Sequence, residues 1–314
     1  MIAALLVGPG DVTVGEVQEP MTPDDGLLLR VVACGVCGSD VRRWREGPPE
    51  GSGGVTPGHE VAGIVEAVGP DCTRWRAGDR LALAPDVHCG RCWYCRHGRY
   101  NLCDDLRLVG ITPGYPGGMA ERMALTGEIL HNGIVHEMPP GMGYVEATLA
   151  EPASSVVACH DGAGTTLGDT VLVMGAGPIG CLHAVVAAAR GARVIISEPN
   201  PDRRGLAGSL DPVAVLDPAA EDVVARVRDL TGGLGADTAI CANPVAATQA
   251  QAVEAVRKAG RVVLFGGLPG GDPTTTLDAN RIHYGEIEVV GAFSYHPTAH
   301  SKALQLVHRG VIPA

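Results

Sequence analysis

From about Thr170 onward, the sequence alternates between short apolar runs and longer helical segments. The apolar runs are TVLVM, RVIIS, ADTAICAN, RVVLFGG and IEVVGAF, and the helical segments include PIGCLHAVVAAARG, EDVVARVRDLTGG and VAATQAQAVEAVRKAG. Continuous apolar strands that alternate with helices are typical of a parallel sheet whose two faces are both covered. We therefore predict an α/β fold, with a doubly wound parallel sheet in the second half of the chain.

The first half of the chain has a different hydrophobic pattern. Short apolar runs such as LLLRVVACG, VAGIVEAVG and DRLALAP are cut by glycine and proline, which predicts an irregular β-rich domain. The boundary between the two halves is expected within residues 152–165, close to the stretch DGAGTTLGD.

Composition disfavours several classes of function. The 314 residues carry a net charge of −11, and an acidic surface repels phosphate backbones, so we expect no nucleic-acid partner. No segment approaches the roughly 20 apolar residues of a transmembrane helix, and the N-terminal MIAALLVG lacks the charged region and cleavage site of a signal peptide. We therefore expect a cytoplasmic protein with no membrane partner. We therefore expect its ten cysteines to serve metal binding or catalysis in preference to disulfide bonds.

Four of those cysteines crowd into the stretch CGRCWYCRHGRYNLC. They follow the spacing C-x2-C-x2-C-x7-C and are Cys89, Cys92, Cys95 and Cys103. A disulfide pair, an iron–sulfur cluster and a nucleic-acid zinc finger can each begin this way. However, the bacterial iron–sulfur run has a shorter last gap followed by proline, and a finger needs a basic domain. We predict a structural zinc in a lobe over residues 86–105, whose four sulfurs leave no position for a substrate.

Three further fragments could supply a second metal site. CGVCGSD carries Cys34 and Cys37, GHE carries His59 and Glu60, and AEPASS carries Glu151. A catalytic zinc needs three protein ligands and an open fourth position, and one thiolate, one imidazole and one carboxylate would serve. Each fragment alone is weak evidence, because a lone cysteine is usually a core residue and a lone histidine or glutamate is usually exposed or hydrogen-bonded.

The stretch GHEVAGIVEAVGPDC, residues 58–72, resembles the signature of the zinc-containing medium-chain alcohol dehydrogenases. Gly63 and Gly69 stand where that family has glycines, and GDRL follows at residues 78–81. The four-cysteine lobe also lies where the family carries its structural zinc. The resemblance extends over nearly the whole chain, in the right order.

The resemblance implies a division of the chain. It implies a GroES-like, β-rich catalytic domain over residues 1–155, an NAD-binding Rossmann domain over residues 156–292, and the start of a C-terminal return to the catalytic domain over residues 293–314. Because family members run further, we expect this return to be truncated. The family forms dimers and tetramers, so a homodimer or homotetramer is expected.

The resemblance also implies roles around a catalytic zinc. Cys37 and His59 are implied ligands, and Cys34 is then a small core residue. Glu151 matches the third ligand of the polyol-dehydrogenase branch, directly or through water. Glu60 is implied to be a neighbouring carboxylate or an alternate ligand during turnover.

The proton path is implied to begin at Ser39, the first relay hydroxyl of the family, while Asp40 is implied to orient His59. The family's relay often continues to a histidine five residues after the ligand cysteine, where this chain has Arg42. Arginine does not release a proton near neutral pH. We therefore expect the path to run through solvent, the cofactor ribose or another residue such as His160.

The stretch VLVMGAGPIG carries a dinucleotide-binding motif. Gly175, Gly177 and Gly180 form G-x-G-x-x-G between an apolar strand and a helix, with Pro178 and Ile179 inside the motif. This context predicts a tight turn, a close approach of the pyrophosphate, and phosphates bound at the helix N-terminus.

Glu198 follows eighteen residues after Gly180, at the end of RVIIS. A carboxylate there accepts the ribose hydroxyls and repels a 2′-phosphate, which favours NAD over NADP. Arg203 and Arg204 lie nearby and an arginine can host that phosphate, so Arg203 is counted among the cofactor-binding candidates. The alternative is that Glu198 is a solvated charge at a strand end.

Together, these features predict a zinc-dependent oxidoreductase that transfers a hydride between NAD and a secondary alcohol or ketone. We expect two zinc ions per chain, one catalytic and one structural. Glu151, the CGSD segment and NRIHYGEIEVVGAF, residues 280–293, resemble the polyol, sugar and threonine dehydrogenase branches, which favours a polyol, sugar or cyclitol. Arg42 and Trp44 either line the substrate pocket or lie on a surface loop. The alternatives are a threonine-type or simple alcohol dehydrogenase and a non-catalytic NAD(H)-binding redox sensor.

Overall fold

The structure, a computed structural model, describes residues 1–48 and 54–314. The chain folds into two compact units. The first comprises Met1–Ser154 and Ser294–Ala314, and the second comprises Ser155–Phe293. Within the described ranges, no helix is both long and apolar enough to cross a membrane.

The strands are short and mostly apolar. In chain order, the described residues form β1 (Ile2–Gly8), β2 (Asp11–Glu16), β3 (Leu27–Gly35), β4 (Glu60–Val68), β5 (Arg80–Val87), β6 (Arg107–Leu108), β7 (Arg122–Leu125), β8 (Gly133–Glu137), β9 (Thr170–Met174), β10 (Arg193–Ser197), β11 (Ala214–Leu216), β12 (Ala236–Cys241), β13 (Val256–Leu264) and β14 (Glu288–Gly291).

The α-helices of the described chain range from four to fourteen residues in length. The described residues form α1 (Gly38–Glu46), α2 (Trp93–Arg96), the 3-10 segment Tyr100–Leu102, α3 (Gly127–Asn132), α4 (Tyr144–Thr148), α5 (Ala150–Ala163), α6 (Pro178–Ala189), α7 (Pro201–Gly208), α8 (Val223–Leu230), α9 (Ala246–Ala255), α10 (Ala279–Gly285) and α11 (Pro297–His308).

The first unit is built around an antiparallel sheet. Its strands follow the order β6-β5-β4-β3-β7, β8 pairs with β5, and β1 and β2 form a separate hairpin. The strands alternate so that Leu27, Leu29 and Leu81 enter one buried apolar cluster, and this burial is the main favourable contribution to folding. The last residue pair of β3 with β4 is Gly35 with Glu60. This register brings the segments that follow β3 and precede β4 to the same end of the sheet.

The second unit contains a six-stranded sheet in the order β11-β10-β9-β12-β13-β14. Each pairing in it is parallel, and all five residues of β9 are buried, as expected for a strand covered on both faces. The strand order reverses at β9, which has β10 on one side and β12 on the other. Ligands of open α/β sheets bind at such a switch point. The predicted α/β fold, with a doubly wound parallel sheet in one unit and a β-rich fold in the other, is confirmed.

One helix is shorter than its sequence pattern predicts. The segment VAATQAQAVEAVRKAG is helical from Ala246 to Ala255, and β13 begins at Val256. Val256 has an extended backbone, pairs with Ala236 and is 1% exposed. A β-branched side chain packs well on a strand in a buried core, so tertiary packing overrides the helical pattern at this point.

Candidate functional site

Cys37 lies where β3 gives way to α1. It is the residue directly before the helix, and its backbone N–H donates to Oδ2 of Asp40 at 2.9 Å. Asp40 lies in the first turn of α1, where a carboxylate also interacts favourably with the helix dipole. The CGSD segment therefore folds into a helix start that fixes the backbone from which the Cys37 side chain projects.

His59 lies directly before β4 and is 4% exposed. Its Nδ1 is 3.6 Å from Oδ1 of Asp40, and its Nε2 is 3.5 Å from Oγ of Ser39. Gly58 has a φ of +97°, and a Cβ there would lie 2.6 Å from Sγ of Cys34. Only glycine fits this position, so the glycine of the GHE segment permits the turn that presents the imidazole.

Cys37, His59 and Glu60 form a group of potential metal ligands, and we call it the mixed-donor group. One ligand atom of each lies within 4.8 Å of the others. A thiolate, an imidazole nitrogen and a carboxylate oxygen are donors that zinc takes in catalytic sites. Burial is the largest cause that raises the pKa of the Cys37 thiol and of the Glu60 carboxyl. A bound cation would counter that effect by stabilising both anions, so these residues fit a zinc ion.

Glu151 lies in the first turn of α5 and faces the mixed-donor group without belonging to its closest set. Burial, with smaller contributions from the charges of Glu60 and Cys37, raises the pKa of Glu151 to about 8, although His59 and a hydrogen bond from Tyr295 both act to lower it. The Glu151 carboxyl therefore interacts electrostatically with all three members of the mixed-donor group. Its assignment as third ligand, and that of Glu60 as alternate ligand, stay predictions.

The partner of Glu151 is Tyr295, a residue that the sequence does not mark as functional. The hydroxyl of Tyr295 donates to Oε1 of Glu151 at 2.7 Å, and the two residues are 144 positions apart. Tyr295 is 3% exposed. Directly before it, the hydroxyl of Ser294 donates to Oδ2 of Asp86 on β5. No motif or periodicity marks these contacts, because they form only when the C-terminal segment rejoins the first unit.

The cysteines of the predicted lobe form a second group of potential metal ligands, and we call it the four-sulfur group. The sulfurs lie within 4.8 Å of one another and belong to Cys89, Cys92, Cys95 and Cys103. Backbone N–H groups point at them: that of Cys89 donates to Cys103 Sγ at 3.2 Å, and that of Cys92 to Cys89 Sγ at 3.4 Å. The N–H groups of Arg91 and Cys92 lower the pKa of the Cys89 thiol to about 6. Burial raises the pKa of Cys95 and Cys103, and a bound cation would counter that effect. Thiolates held this way fit a closed tetrahedral zinc site.

The glycine motif forms the turn between β9 and α6. The backbone N–H of Gly175 donates to the carbonyl oxygen of Ser197 at 2.7 Å, and a Cβ on Gly180 would lie 1.9 Å from the Gly175 oxygen. Glycine at this last position therefore allows the helix to approach the strand. A Cβ on Gly177 would meet no atom within 4 Å, which leaves open space beside the start of the helix. Pro178 and Ile179 are the first two residues of that helix. Proline has no N–H, so at these two positions only the backbone N–H of Ile179 can face an anion.

Glu198 lies at the carboxyl end of β10 and is 3% exposed. Its Oε2 accepts the N–H of Ala176 at 2.7 Å and its Oε1 accepts the N–H of Asn200 at 2.8 Å. The carboxylate is therefore held by backbone groups beside the glycine turn, and it is not a solvated surface charge. Arg204 is used within the fold, because it donates to the carbonyl oxygen of Glu198 and pairs with Asp217 at 2.8 Å. Arg203 is exposed.

The residues considered for the proton path differ in their surroundings. Ser39 lies next to His59, as described above, whereas Arg42 and Trp44 are exposed on α1. His160 is fully buried in the second unit. Its Nδ1 contacts Oγ1 of Thr165 at 2.9 Å and its Nε2 contacts Nδ1 of His183 at 3.2 Å. Both ring nitrogens of His160 are thus in use, so this histidine is poorly placed to pass on a proton.

Two family models match most of the chain between them. The model described as alcohol dehydrogenase GroES-like domain matches residues 23–136, a range that contains the mixed-donor and four-sulfur groups. The model described as zinc-binding dehydrogenase matches residues 178–309. The first match confirms the GroES-like character of the β-rich fold.

Characterised relatives and solved structures agree with these matches. Sorbitol dehydrogenase of Bacillus subtilis (strain 168) is 31% identical over 320 residues, which cover 99% of this chain and 87% of that protein. L-threonine 3-dehydrogenase of Pyrococcus abyssi is 35% identical over 276 residues, 85% of this chain and 75% of that protein. A zinc-binding dehydrogenase structure from Sinorhizobium meliloti 1021, bound to NADP, has a TM-score of 0.90 at 32% identity and covers 100% of this chain and 90% of that one. The chain therefore belongs to the zinc-containing medium-chain alcohol dehydrogenases, the family that its GHE segment and its cysteine lobe resemble.

Proposed function

We propose that this protein is a zinc-dependent dehydrogenase that transfers a hydride between NAD and a secondary alcohol bearing neighbouring hydroxyl groups. The observation that carries the proposal is the mixed-donor group, in which one thiol, one imidazole and one carboxyl converge within 4.8 Å. Together with the glycine turn after β9, this gives the chain both halves of the required chemistry, a site for a Lewis acid and a site for a dinucleotide.

In this mechanism, Cys37 and His59 would hold the ion, together with Glu151 or Glu60. A zinc ion bound there would act as a Lewis acid that lowers the pKa of a substrate hydroxyl. The four-sulfur group would hold a second ion that stabilises the lobe. Asp40, whose Oδ1 lies 3.6 Å from Nδ1 of His59, would orient the imidazole so that Nε2 is directed at the ion.

Proton removal would fall to Ser39, whose Oγ lies 3.5 Å from Nε2 of His59. Because Arg42 cannot accept a proton and His160 is used within its own unit, the path beyond Ser39 runs through solvent or the cofactor ribose. The carboxyl of Glu151 is buried, which limits the access of water to that side of the substrate.

For the cofactor, NAD is favoured by Glu198. Its carboxylate is fixed beside the glycine turn by two backbone N–H groups, where it would accept the ribose hydroxyls and repel a 2′-phosphate. Arg203 is exposed and does not make the contacts that occupy Arg204, so it is the side chain that would host the 2′-phosphate if the cofactor were NADP. NAD supplies the hydride acceptor, and the protein supplies its position. The homodimer or homotetramer and the cytoplasmic location stay predictions.

The sorbitol dehydrogenase relative supports a polyol as the substrate class. The Pyrococcus relative, at 35% identity, favours a second candidate, a threonine-type amino alcohol. A polyol and a threonine-type amino alcohol each carry a polar group next to the secondary alcohol that reacts, and simple alcohols do not.

The test is NADH formation from NAD, followed at 340 nm, with a panel of polyols, sugars, cyclitols, L-threonine and simple secondary alcohols. Zinc content is measured on the same preparation, and Cys37→Ala is the blank. We expect turnover of a polyhydroxylated compound that vanishes in Cys37→Ala. A fully zinc-loaded protein that binds NAD but oxidises none of these compounds would favour the non-catalytic sensor instead.

A further inference from the structure

Asp86 is a buried carboxylate outside the mixed-donor and four-sulfur groups. It lies on β5 and is 5% exposed, and its Oδ2 accepts the hydroxyl hydrogen of Ser294 at 2.5 Å. Burying a carboxylate raises the free energy of the folded state unless hydrogen bonds compensate it. An apolar side chain could be buried on this strand without that penalty. The carboxylate is therefore explained by the directional bond that it makes.

Ser294 is the residue at which the chain returns to the first unit. Its φ is +50°, in the left-handed region that non-glycine residues adopt rarely. A backbone in this region persists only where its surroundings hold it. The bond from the Ser294 hydroxyl to Asp86 is the side-chain contact that does so.

The conformation of Ser294 sets the course of the next residue. Tyr295 is buried at 3% exposure, and its hydroxyl donates to Oε1 of Glu151 at 2.7 Å. A hydrogen bond to an ionised carboxylate oxygen is among the stronger hydrogen bonds, so it holds that oxygen in place and restricts the movement of the carboxylate. A continuous series of contacts thus leads from β5 through the turn at Ser294 to Glu151.

We propose that Asp86, through Ser294, is a positioning residue for the reaction: it locks the turn that carries Tyr295, and Tyr295 locks the Glu151 carboxylate beside the mixed-donor group. The inference rests on the proposed function, in which Glu151 helps to hold the ion. Neither Asp86 nor Ser294 belongs to the mixed-donor group. Their effect is the precision with which Glu151 is held.

The experiment compares Asp86→Ala, Ser294→Ala and Tyr295→Phe in the full-length, zinc-loaded protein. Ser294→Ala removes one oxygen atom and disturbs packing least. We expect each variant to lower kcat/KM by about 10- to 100-fold, the range found when residues that support metal ligands are changed. Asp86→Asn keeps an acceptor oxygen for Ser294 and should recover most of the loss. Glu19→Ala and Ser209→Ala, which remove an exposed carboxylate and an exposed hydroxyl, are the controls.

A double-variant cycle separates positioning from simple stabilisation. If Asp86 acts through Tyr295, adding Asp86→Ala to Tyr295→Phe should cost no further kcat/KM. A loss that persists in full in the Tyr295→Phe background, or wild-type kcat/KM in Asp86→Ala, would overturn the proposal.

The second readout is the rate at which a chelating dye removes zinc, which does not depend on turnover. Asp86→Ala and Tyr295→Phe should accelerate the release of one zinc ion by a similar factor and leave the other unchanged. If no alcohol is oxidised by the wild type, the proposed function fails, yet this shared acceleration would still support the positioning role. Equal release rates in the wild type and both variants would refute that role.

Discussion

The two groups of potential metal ligands lie in the same folded unit but are assembled in different ways. The four-sulfur group comes from a single stretch of fifteen residues, 89–103, and backbone N–H groups of that stretch point at its sulfurs. The mixed-donor group draws Cys37 from the start of α1 and His59 from the start of β4, and Glu151 faces it from α5. A local site depends on its own loop, whereas an assembled site depends on the register of the whole sheet.

The electrostatics of the two groups differ in part. In the four-sulfur group, backbone N–H groups lower the pKa of Cys89 and Cys92, whereas burial raises the pKa of Cys95 and Cys103. Burial raises the pKa of Cys37, Glu60 and Glu151, so the assembled site is unfavourable for its anions until a cation arrives. A bound cation would stabilise the anions of both groups, and the mixed-donor group depends on it more because burial raises the pKa of each of its acidic members.

The largest expected effect is that of Cys37→Ala. Removal of this ligand should abolish the Lewis acid and lower kcat by about a thousandfold or more, since such an acid supplies several kcal/mol of transition-state stabilisation. Zinc content should fall from two ions to one, with little change in Tm. Steady-state kinetics, metal analysis and thermal melting on one preparation check this. Full activity in Cys37→Ala would mean that the mixed-donor group is not the catalytic site.

Cys92→Ala should produce the opposite pattern. Loss of the four-sulfur zinc removes binding free energy that contributes to folding, so we expect Tm to fall by about 10 °C, the shift for roughly 3–5 kcal/mol in a unit of this size. The turnover of the protein that remains folded should change little. Calorimetry and active-site titration with NADH check the two parts. If kcat fell as far as in Cys37→Ala while Tm stayed the same, the two groups would have to exchange roles.

The same contrast explains how much the sequence could reveal. The parallel sheet, the glycine turn and the four-cysteine lobe were predictable because each depends on periodicity or spacing within a short stretch. Tyr295 and Asp86 were not predictable, because their contacts join positions 144 and 208 apart. The boundary of α9 was predicted wrongly because buried packing of Val256 outweighed a helical pattern. Glu198 was predicted to bind the cofactor ribose, and its two backbone hydrogen bonds, which the sequence does not reveal, argue against the alternative of a solvated strand-end charge.

Lowering the pH tests whether the acid sensitivity of the first unit comes from its metal sites or from the rest of its fold. His300 on α11 is fully buried, its Nδ1 lies 3.0 Å from Nδ1 of His136 on β8, and burial lowers the pKa of His300 to about 3. A histidine with a lowered folded-state pKa contributes stability above about pH 6.5 that is lost as the pH falls. Between pH 6.5 and 4.5 this one group should cost about 2–3 kcal/mol of unfolding free energy.

His300→Gln should therefore flatten the pH dependence of stability without changing either zinc site. Urea unfolding at pH 7 and pH 4.5 measures the difference, and zinc content at both values is the control. We expect the variant to lose less unfolding free energy than the wild type over this interval. An identical slope in both proteins would show that metal loss, and not the buried histidine, sets the acid sensitivity of this unit.

The smallest of these effects should be that of Asp40→Asn, which probes how the assembled site is aligned. Asp40 accepts the N–H of Cys37 with one oxygen and lies 3.6 Å from Nδ1 of His59 with the other, so it connects two members of the mixed-donor group. Asparagine keeps the shape but removes the negative charge facing the imidazole, and we expect kcat/KM to fall by about 10- to 100-fold. Asp105→Asn is the matched change at the lobe, because Asp105 follows Cys103 closely but its exposed carboxylate pairs with Arg107. It should leave kcat/KM unchanged. Equal effects of the two substitutions on kcat/KM would mean that alignment by a neighbouring carboxylate does not distinguish the assembled site from the local one.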